Sequence, residues 1–312
     1  MTPPSSDPLP MHIATRGSRL ALWQANTTRE LLGEEHELLI VRSSGDADRT
    51  TDLARFGSIG IFTVEVDRAI LDGRARIGVH SLKDMTTTLQ DGIVLAGCLA
   101  RGPVEDVLVS RDGRGLRDLP SGSRVGTGSL RRGAMIRTLR SDVEVVSQRG
   151  NVPTRVSHVV DGDLDACVLA RAGLERLGLA EHVAEVLSLD DFLPAVGQGI
   201  VGITCREDDH EVRELLGERV RDPLAWPCAL AERAFLRGAN GGCNAPIAGH
   251  ATLEGEQLRL RGRVHAVDGA EVVAGERRGP SEEAESLGAA LAEELLAAGA
   301  AALIEQAREL ES

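Results

Sequence analysis

The stretch IATRGSRLALWQ, residues 13–24, changes its period halfway along. Its first half continues the apolar run MHIAT and reads as a strand, whereas from Ser18 the segment SRLALWQANTTRELL has the spacing of an amphipathic helix. A Gly-Ser loop joins the two. Working outward, HELLIVRS is a further strand, GIFTVEVDRAILDG a helix stopped by Gly73, and RIGVHS another strand. Strands alternating with helices predict βαβ units and a mainly parallel sheet covered by helices.

The pattern recurs about a hundred residues later. SRVGTGSLRRGAMIRTLR again reads strand, Gly-Ser loop, helix, and VSHVVDGDLDACVLA reads helix, Asp-Gly turn, buried strand. The separations differ between the copies, so two similarly built α/β domains are predicted rather than a tandem array. LPAVGQG, within LSLDDFLPAVGQGIVGITCR, punctuates two apolar segments as a crossover or hinge. After RDPLAWP the character changes to a helix (CALAERAFLRG), the loop ANGGCNAPIAG, alternating strands and an alanine-rich helix expected to be capped by Ser281. The fold class predicted is α/β: two similar doubly wound lobes plus a smaller α+β C-terminal domain. The expected boundaries are 11–102 with 199–220 for a discontinuous lobe 1, 103–198 for lobe 2, and 221–312 for the C-terminal domain.

Composition narrows the function. A net charge of −13 opposes a general nucleic-acid binder, which needs a basic face to displace counterions, and aromatic residues make up only 2% of the chain. MTPPSSDPLP lacks the basic and apolar regions of a signal peptide and reads as a disordered tail. No uninterrupted apolar run reaches the roughly 18 residues of a membrane span. The five cysteines form no CxxC pair, which disfavours a disulfide framework or a zinc site, and no metal is expected. A reduced, cytoplasmic protein is the expectation.

Both Gly-Ser loops place a helix N-terminus at the C-terminal end of a strand, where free N–H groups and the helix dipole favour an anion. Taken alone, Ser18 and Ser129 read first as plain N-caps. Arg16 beside one loop, and Arg131 and Arg132 beside the other, favour a carboxylate or phosphate site. With Arg149, Arg155, Arg176 and Lys83, the chain's single lysine, they would form a positive cleft suited to a ligand with many carboxylates. Asp84 beside Lys83 is either a capping aspartate or a carboxylate that stabilises a cationic intermediate. Cys98, Cys167 and Cys205 lie in apolar runs and read as core thiols, whereas Cys243 sits in a glycine-rich loop, as an incidental surface residue or as an attachment point.

The segments IATRGSRLALWQ, VHSLKDM, VGTGSLRR, RGNVPTR, ARAGLERLGL, LPAVGQG and GGCNAPI occur in an order that resembles the porphobilinogen deaminase (hydroxymethylbilane synthase) family over nearly the whole chain. That resemblance implies lobes like those of type II periplasmic binding proteins. It also implies an enzyme that joins four porphobilinogen units head to tail with loss of ammonia, then hydrolyses off the linear tetrapyrrole. A dipyrromethane cofactor would be held by a thioether to Cys243, and Asp84 would be the catalytic carboxylate. Ser81, Lys83, Thr127, Ser129, Arg131, Arg132 and Arg155 match cofactor contacts. Arg16, Ser18, Phe62, Arg149, Arg176 and Gln198 match contacts to porphobilinogen or the growing oligopyrrole. A monomer is expected, and charge and the lack of a long apolar run predict neither a nucleic-acid nor a membrane partner.

Three positions depart from the pattern. GSIGIF has Ile59 where the family commonly has lysine, the usual proline after Asp84 is absent from KDMTTT, and Gly128 stands where serine is frequent. Two other readings compete. Lys83 could be the nucleophile of a Schiff-base lyase, although a neighbouring aspartate favours its charged form if the side chains approach. Two lobes joined by crossovers could instead form a solute receptor, which would need neither the third domain nor its loop cysteine.

Overall fold

The computed structural model describes residues 11–33, 36–41, 63–240 and 245–310. The first sheet follows the expected alternation: β1 (His12–Arg16), α1 (Arg19–Leu32), β2 (Glu37–Val41), α2 (Val64–Leu71), β3 (Ile77–Ser81) and β4 (Ile93–Cys98). The second contains β5 (Asp106–Ser110), β6 (Arg124–Thr127), α3 (Leu130–Leu139), β7 (Glu144–Ser147), α4 (Val152–Val160), β8 (Ala166–Ala170), α5 (Arg171–Arg176) and β9 (Glu185–Val186). The chain then returns through β10 (Val201–Arg206) to the first sheet and continues into α6 (His210–Arg219).

The strand orders, β2-β1-β3-β10-β4 and β7-β6-β8-β5-β9, correspond place by place. In each sheet three strands run parallel, and the fourth is antiparallel to both neighbours: β10 in the first, β5 in the second. The two lobes joined by crossovers are therefore present, with sheets that are mixed. Buried runs such as ACVLA in β8 suit strands covered on both faces.

The two crossover segments lie against each other: Leu99 N–H donates to Val201 O and Gly102 N–H to Gly199 O. Gly199 has φ +86°, and a Cβ there would sit 2.6 Å from Gly102 O, so only glycine permits the approach.

The C-terminal part packs α7 (Ala225–Gly238) and α8 (Ala284–Leu295) on an antiparallel sheet of β11 (Ile247–Glu254), β12 (Gln257–His265) and β13 (Val272–Pro280). Phe235, Leu258, Leu260, Leu291 and Leu295 form its centre. Glu232 of α7, fully buried, accepts hydrogen bonds from Arg101, Gly197 N–H and Ala251 N–H, tying this part to both crossovers.

Two expectations are corrected here. Ser281 lies in a 3₁₀ turn, Ser281–Glu283, with no side-chain capping bond, and Gly299 at φ +110° breaks the alanine-rich helix before α9 (Ala301–Glu309). The whole Ser281–Glu309 stretch is long and apolar enough to cross a membrane by length and composition, with mean hydropathy 1.7 in its most apolar window. Its Leu287, Leu291, Leu295, Leu303 and Ile304 are core residues against Phe235 and the sheet, as in the central helix of a folded domain.

Candidate active site

Arg16, Ser81, Thr127, Ser129 and Arg149 stand at or just beyond the C-terminal ends of parallel strands β1, β3, β6 and β7, where chain reversal into the next helix leaves backbone donors and side chains available to a ligand. Arg16 ends β1, and Ser18 caps α1 by accepting from Ala21 N–H. Ser81 ends β3 and accepts a 2.8 Å bond from Gln24 of α1. Lys83 and Asp84 do not continue the strand, as the sequence suggested, but form a 3₁₀ turn, Leu82–Asp84. Arg16, Ser18, Gln24, Thr63, His80, Ser81 and Asp84 line one open cleft.

In the second lobe, Thr127 Oγ1 accepts from Ser129 N–H, and Ser129 Oγ caps α3 by accepting from Arg132 N–H. Thr127 is buried and shapes this loop. Arg131 and Arg132 are also buried, and both seat on Asp106, which lies at the start of β5: Arg131 Nη1 donates to Oδ2 at 2.8 Å, and Arg132 Nη2 to Oδ1 at 2.7 Å. Burial alone would raise the Asp106 pKa, but the two guanidinium groups outweigh it and hold the carboxyl well below the usual carboxylate range. Arg131 also donates to Leu193 O, and its Nε has no partner among the described residues.

Gln198, expected against substrate, has 0% exposed surface. Its amide donates to Val104 O and Asp106 and accepts from Arg132, so it braces the arginine pair from the crossover and offers no surface to a ligand. Asn151 caps α4, Arg155 in the first turn of that helix donates Nε to Gly150 O, and Arg149 is exposed in the preceding loop. Arg176 ends α5 and donates to Gly199 O.

The two lobes meet electrostatically at Lys83. Burial first, then Arg132, lower its ammonium to about 8, against opposing attraction from Asp84 and Asp106. Asp84 and Arg132 likewise act on Arg155, whose pKa burial lowers. The structure thus brings Lys83 and Asp84 of the first lobe into range of Arg131, Arg132 and Arg155 of the second. Phe62, Ile59 and Cys243 lie outside the described residues. Cys98, Cys167 and Cys205 are core thiols, pushed up by burial to about 12, 11 and 11.

Several contributors escaped the sequence reading. Asp106 opens an otherwise apolar strand, DVLVS, and a charge at the head of a buried run was the available signal. His80, facing the cleft, has Nε2 3.3 Å from Asp67 Oδ1 and 3.1 Å from Thr204 Oγ1, in a buried group spanning α2, β3 and β10. Arg233 of α7 donates to the carbonyls of Thr86 and Thr87, holding the segment that follows Asp84. Nothing local in the sequence marks those pairings.

Comparison with known proteins returns a family model described as "Porphobilinogen deaminase, dipyromethane cofactor binding domain" over residues 11–214, and "Porphobilinogen deaminase, C-terminal domain" over 226–297. A protein of Maridesulfovibrio salexigens named porphobilinogen deaminase is 44% identical over 94% of this chain and 97% of its own length. One of Syntrophotalea carbinolica with the same name is 43% identical over 93% of each. Among solved structures, an ABC transporter protein from Parabacteroides distasonis overlaps 66% of this chain and 69% of its own at 13% identity and TM-score 0.42. A Salmonella typhimurium periplasmic binding protein with high arginine specificity overlaps 67% and 90% at 14% identity and TM-score 0.40.

Proposed function

The chain belongs to the porphobilinogen deaminase family, and on that premise we propose that Asp84 is its catalytic carboxylate and that cations from both lobes hold the growing product by its carboxylates. The enzyme is a hydroxymethylbilane synthase: it condenses four porphobilinogen molecules head to tail, releases ammonia at each addition and hydrolyses off the linear tetrapyrrole. It uses a dipyrromethane cofactor.

The observation that carries the site assignment is the grouping of Asp84 with Lys83, Arg132 and Arg155, which act on one another across the two lobes. This donor set fits a ligand bearing acetate and propionate groups, since guanidinium and ammonium groups pair well with carboxylates. Lys83, Ser81, Ser129, Arg132 and Arg155 would hold the dipyrromethane, with Thr127 and Arg131 shaping their wall. Cys243 is assigned as its attachment point. When bound, the group supplies the electron-rich pyrrole carbon needed for the new C–C bond.

The remaining chemistry falls to the protein. Loss of ammonia leaves porphobilinogen as a cationic azafulvenium. A carboxylate about 4 Å from that charge contributes roughly 4 kcal/mol at an effective dielectric near 20. Asp84 can also accept the pyrrole N–H and take up a proton. Arg16 and Ser18, at the N-terminus of α1, would receive the carboxylates of incoming porphobilinogen. Arg149 and Arg176 would serve elongation, and Phe62 would stack on a pyrrole ring. We read the enzyme as a cytoplasmic monomer.

Intact mass tests the assignment. The purified protein should carry a covalent excess equal to two pyrrole units, and Cys243→Ser should lose it. The same excess persisting in Cys243→Ser would overturn the attachment point. A protein showing neither adduct nor turnover with porphobilinogen would sink the site reading as a whole.

A further inference from the structure

One contact crosses between the lobes without lining the cleft. Arg176, at the end of α5 in the second lobe, places its Cζ 4.9 Å from the ring centroid of Trp23 on α1 of the first. The same guanidinium donates a 2.7 Å bond from Nη2 to Gly199 O on one crossover. A Cβ on Gly102 of the other crossover would come within 3.1 Å of that Nη2. Arg176 therefore links its own helix in the second lobe to α1 of the first and to the Gly199 crossover, with Gly102 of the other crossover alongside. Trp23 is 36% exposed, while Leu20, Ala21 and Gln24 of the same helix line the cleft. The ring thus presents its face to Arg176 from beside the cleft.

A cation over an indole face is attracted by the ring quadrupole, and tryptophan is the strongest such partner. That attraction limits the directions in which the Arg176 guanidinium can point. The crossover carbonyl fixes one of its edges. Any change in the angle between the lobes must slide Trp23 against Arg176, because the two side chains stand on different lobes.

We propose that Trp23 is a positioning residue for elongation: its indole holds Arg176 against the crossover, and lobe separation as the oligopyrrole lengthens slides the pair apart and hands the guanidinium to a carboxylate of the growing chain. This rests on the reading of Arg176 as an elongation residue. Trp23 itself touches no reacting atom. Its effect is confined to steps in which the lobes must open further, so the first addition is spared and later ones are not.

The test uses the holoenzyme and the ladder of enzyme–oligopyrrole adducts seen by intact mass during turnover of limiting porphobilinogen. Trp23→Leu should carry the normal cofactor mass and make the first addition at the normal rate. It should slow the third and fourth additions by about three- to tenfold, the scale of one partly exposed cation–π contact, so that earlier adducts accumulate. Trp23→Phe, which keeps an aromatic face, should restore much of the normal ladder. The chain has two tryptophans, so Trp226→Phe leaves Trp23 as the sole indole, and its emission should change with each unit added. A Trp23→Leu ladder identical to wild type overturns the proposal, as does equal slowing of every step. Emission that stays constant through all four additions overturns it too. Loss of the cofactor mass in the unsubstituted enzyme would instead count against the site reading, and the same spectra show it.

Discussion

Asp84 and Lys83 are adjacent, yet the cleft uses them differently. Asp84→Ala removes the one assigned carboxylate facing the cation. A loss of about 4 kcal/mol corresponds to roughly a thousandfold drop in kcat with the fold unchanged, read by steady-state turnover beside circular dichroism. Lys83 must be protonated to pair with a carboxylate, and burial with Arg132 lowers its ammonium to about 8. Turnover should therefore fall as pH rises through about 8 and the grip on the cofactor carboxylate weakens, and in Lys83→Arg the falling limb should move to higher pH. A pH–rate profile checks both. Gly128, where the family often has serine, has a structural cause here. A Cβ at this position would stand 2.7 Å from Gln148 O and 3.5 Å from the Arg155 guanidinium. Restoring the common residue, Gly128→Ser, should cost about 1–3 kcal/mol and weaken carboxylate binding at Arg155. Thermal melting and cofactor retention would register it.

Elements were readable where a local rule governs them. Strand, Gly-Ser loop and helix follow from apolar period and capping, so β1–α1 and β6–α3 stand where Ile13–Gln24 and its later echo indicated, with Ser18 and Ser129 as the caps. Those caps also point each helix N-terminus at the cleft, so the capping reading and the anion-site reading describe one geometry. The C-terminal helix was misread as continuous because alanine-rich sequence has high helix propensity throughout, and Gly299 is only one residue within it. The break comes from its left-handed conformation. Gly299→Ala should place a Cβ in that region at about 1–2 kcal/mol, lowering Tm by a few degrees without altering turnover. Lys83 and Asp84 follow directly on the buried strand β3, so the sequence reads them as its end. A three-residue 3₁₀ turn leaves no periodic signal.

At the scale of the whole molecule, the three parts meet around buried polar groups. His250 on β11 and His265 on β12 are lowered to about 4, chiefly by burial, and neither ring nitrogen of His265 has a partner among the described residues. Because their folded-state pKa lies below the ordinary 6.5, their contribution to stability is complete above that value and is lost as pH falls toward 4. The effect is on the order of 3 kcal/mol for each histidine. Melting temperature should drop across that window, and His265→Leu should flatten the decline. By itself the sequence determined the repeated strand–loop–helix units, the strand ends that carry the basic residues and the family these imply, because periodicity, capping and loop chemistry act over a few neighbouring residues. Only the tertiary structure decided that β10 returns to pair with β3 across more than a hundred residues, that Asp106 seats Arg131 and Arg132, that Gln198 faces inward, and that Trp23 meets Arg176. Such contacts join distant segments through shape and charge, and neither partner carries a local mark of the other.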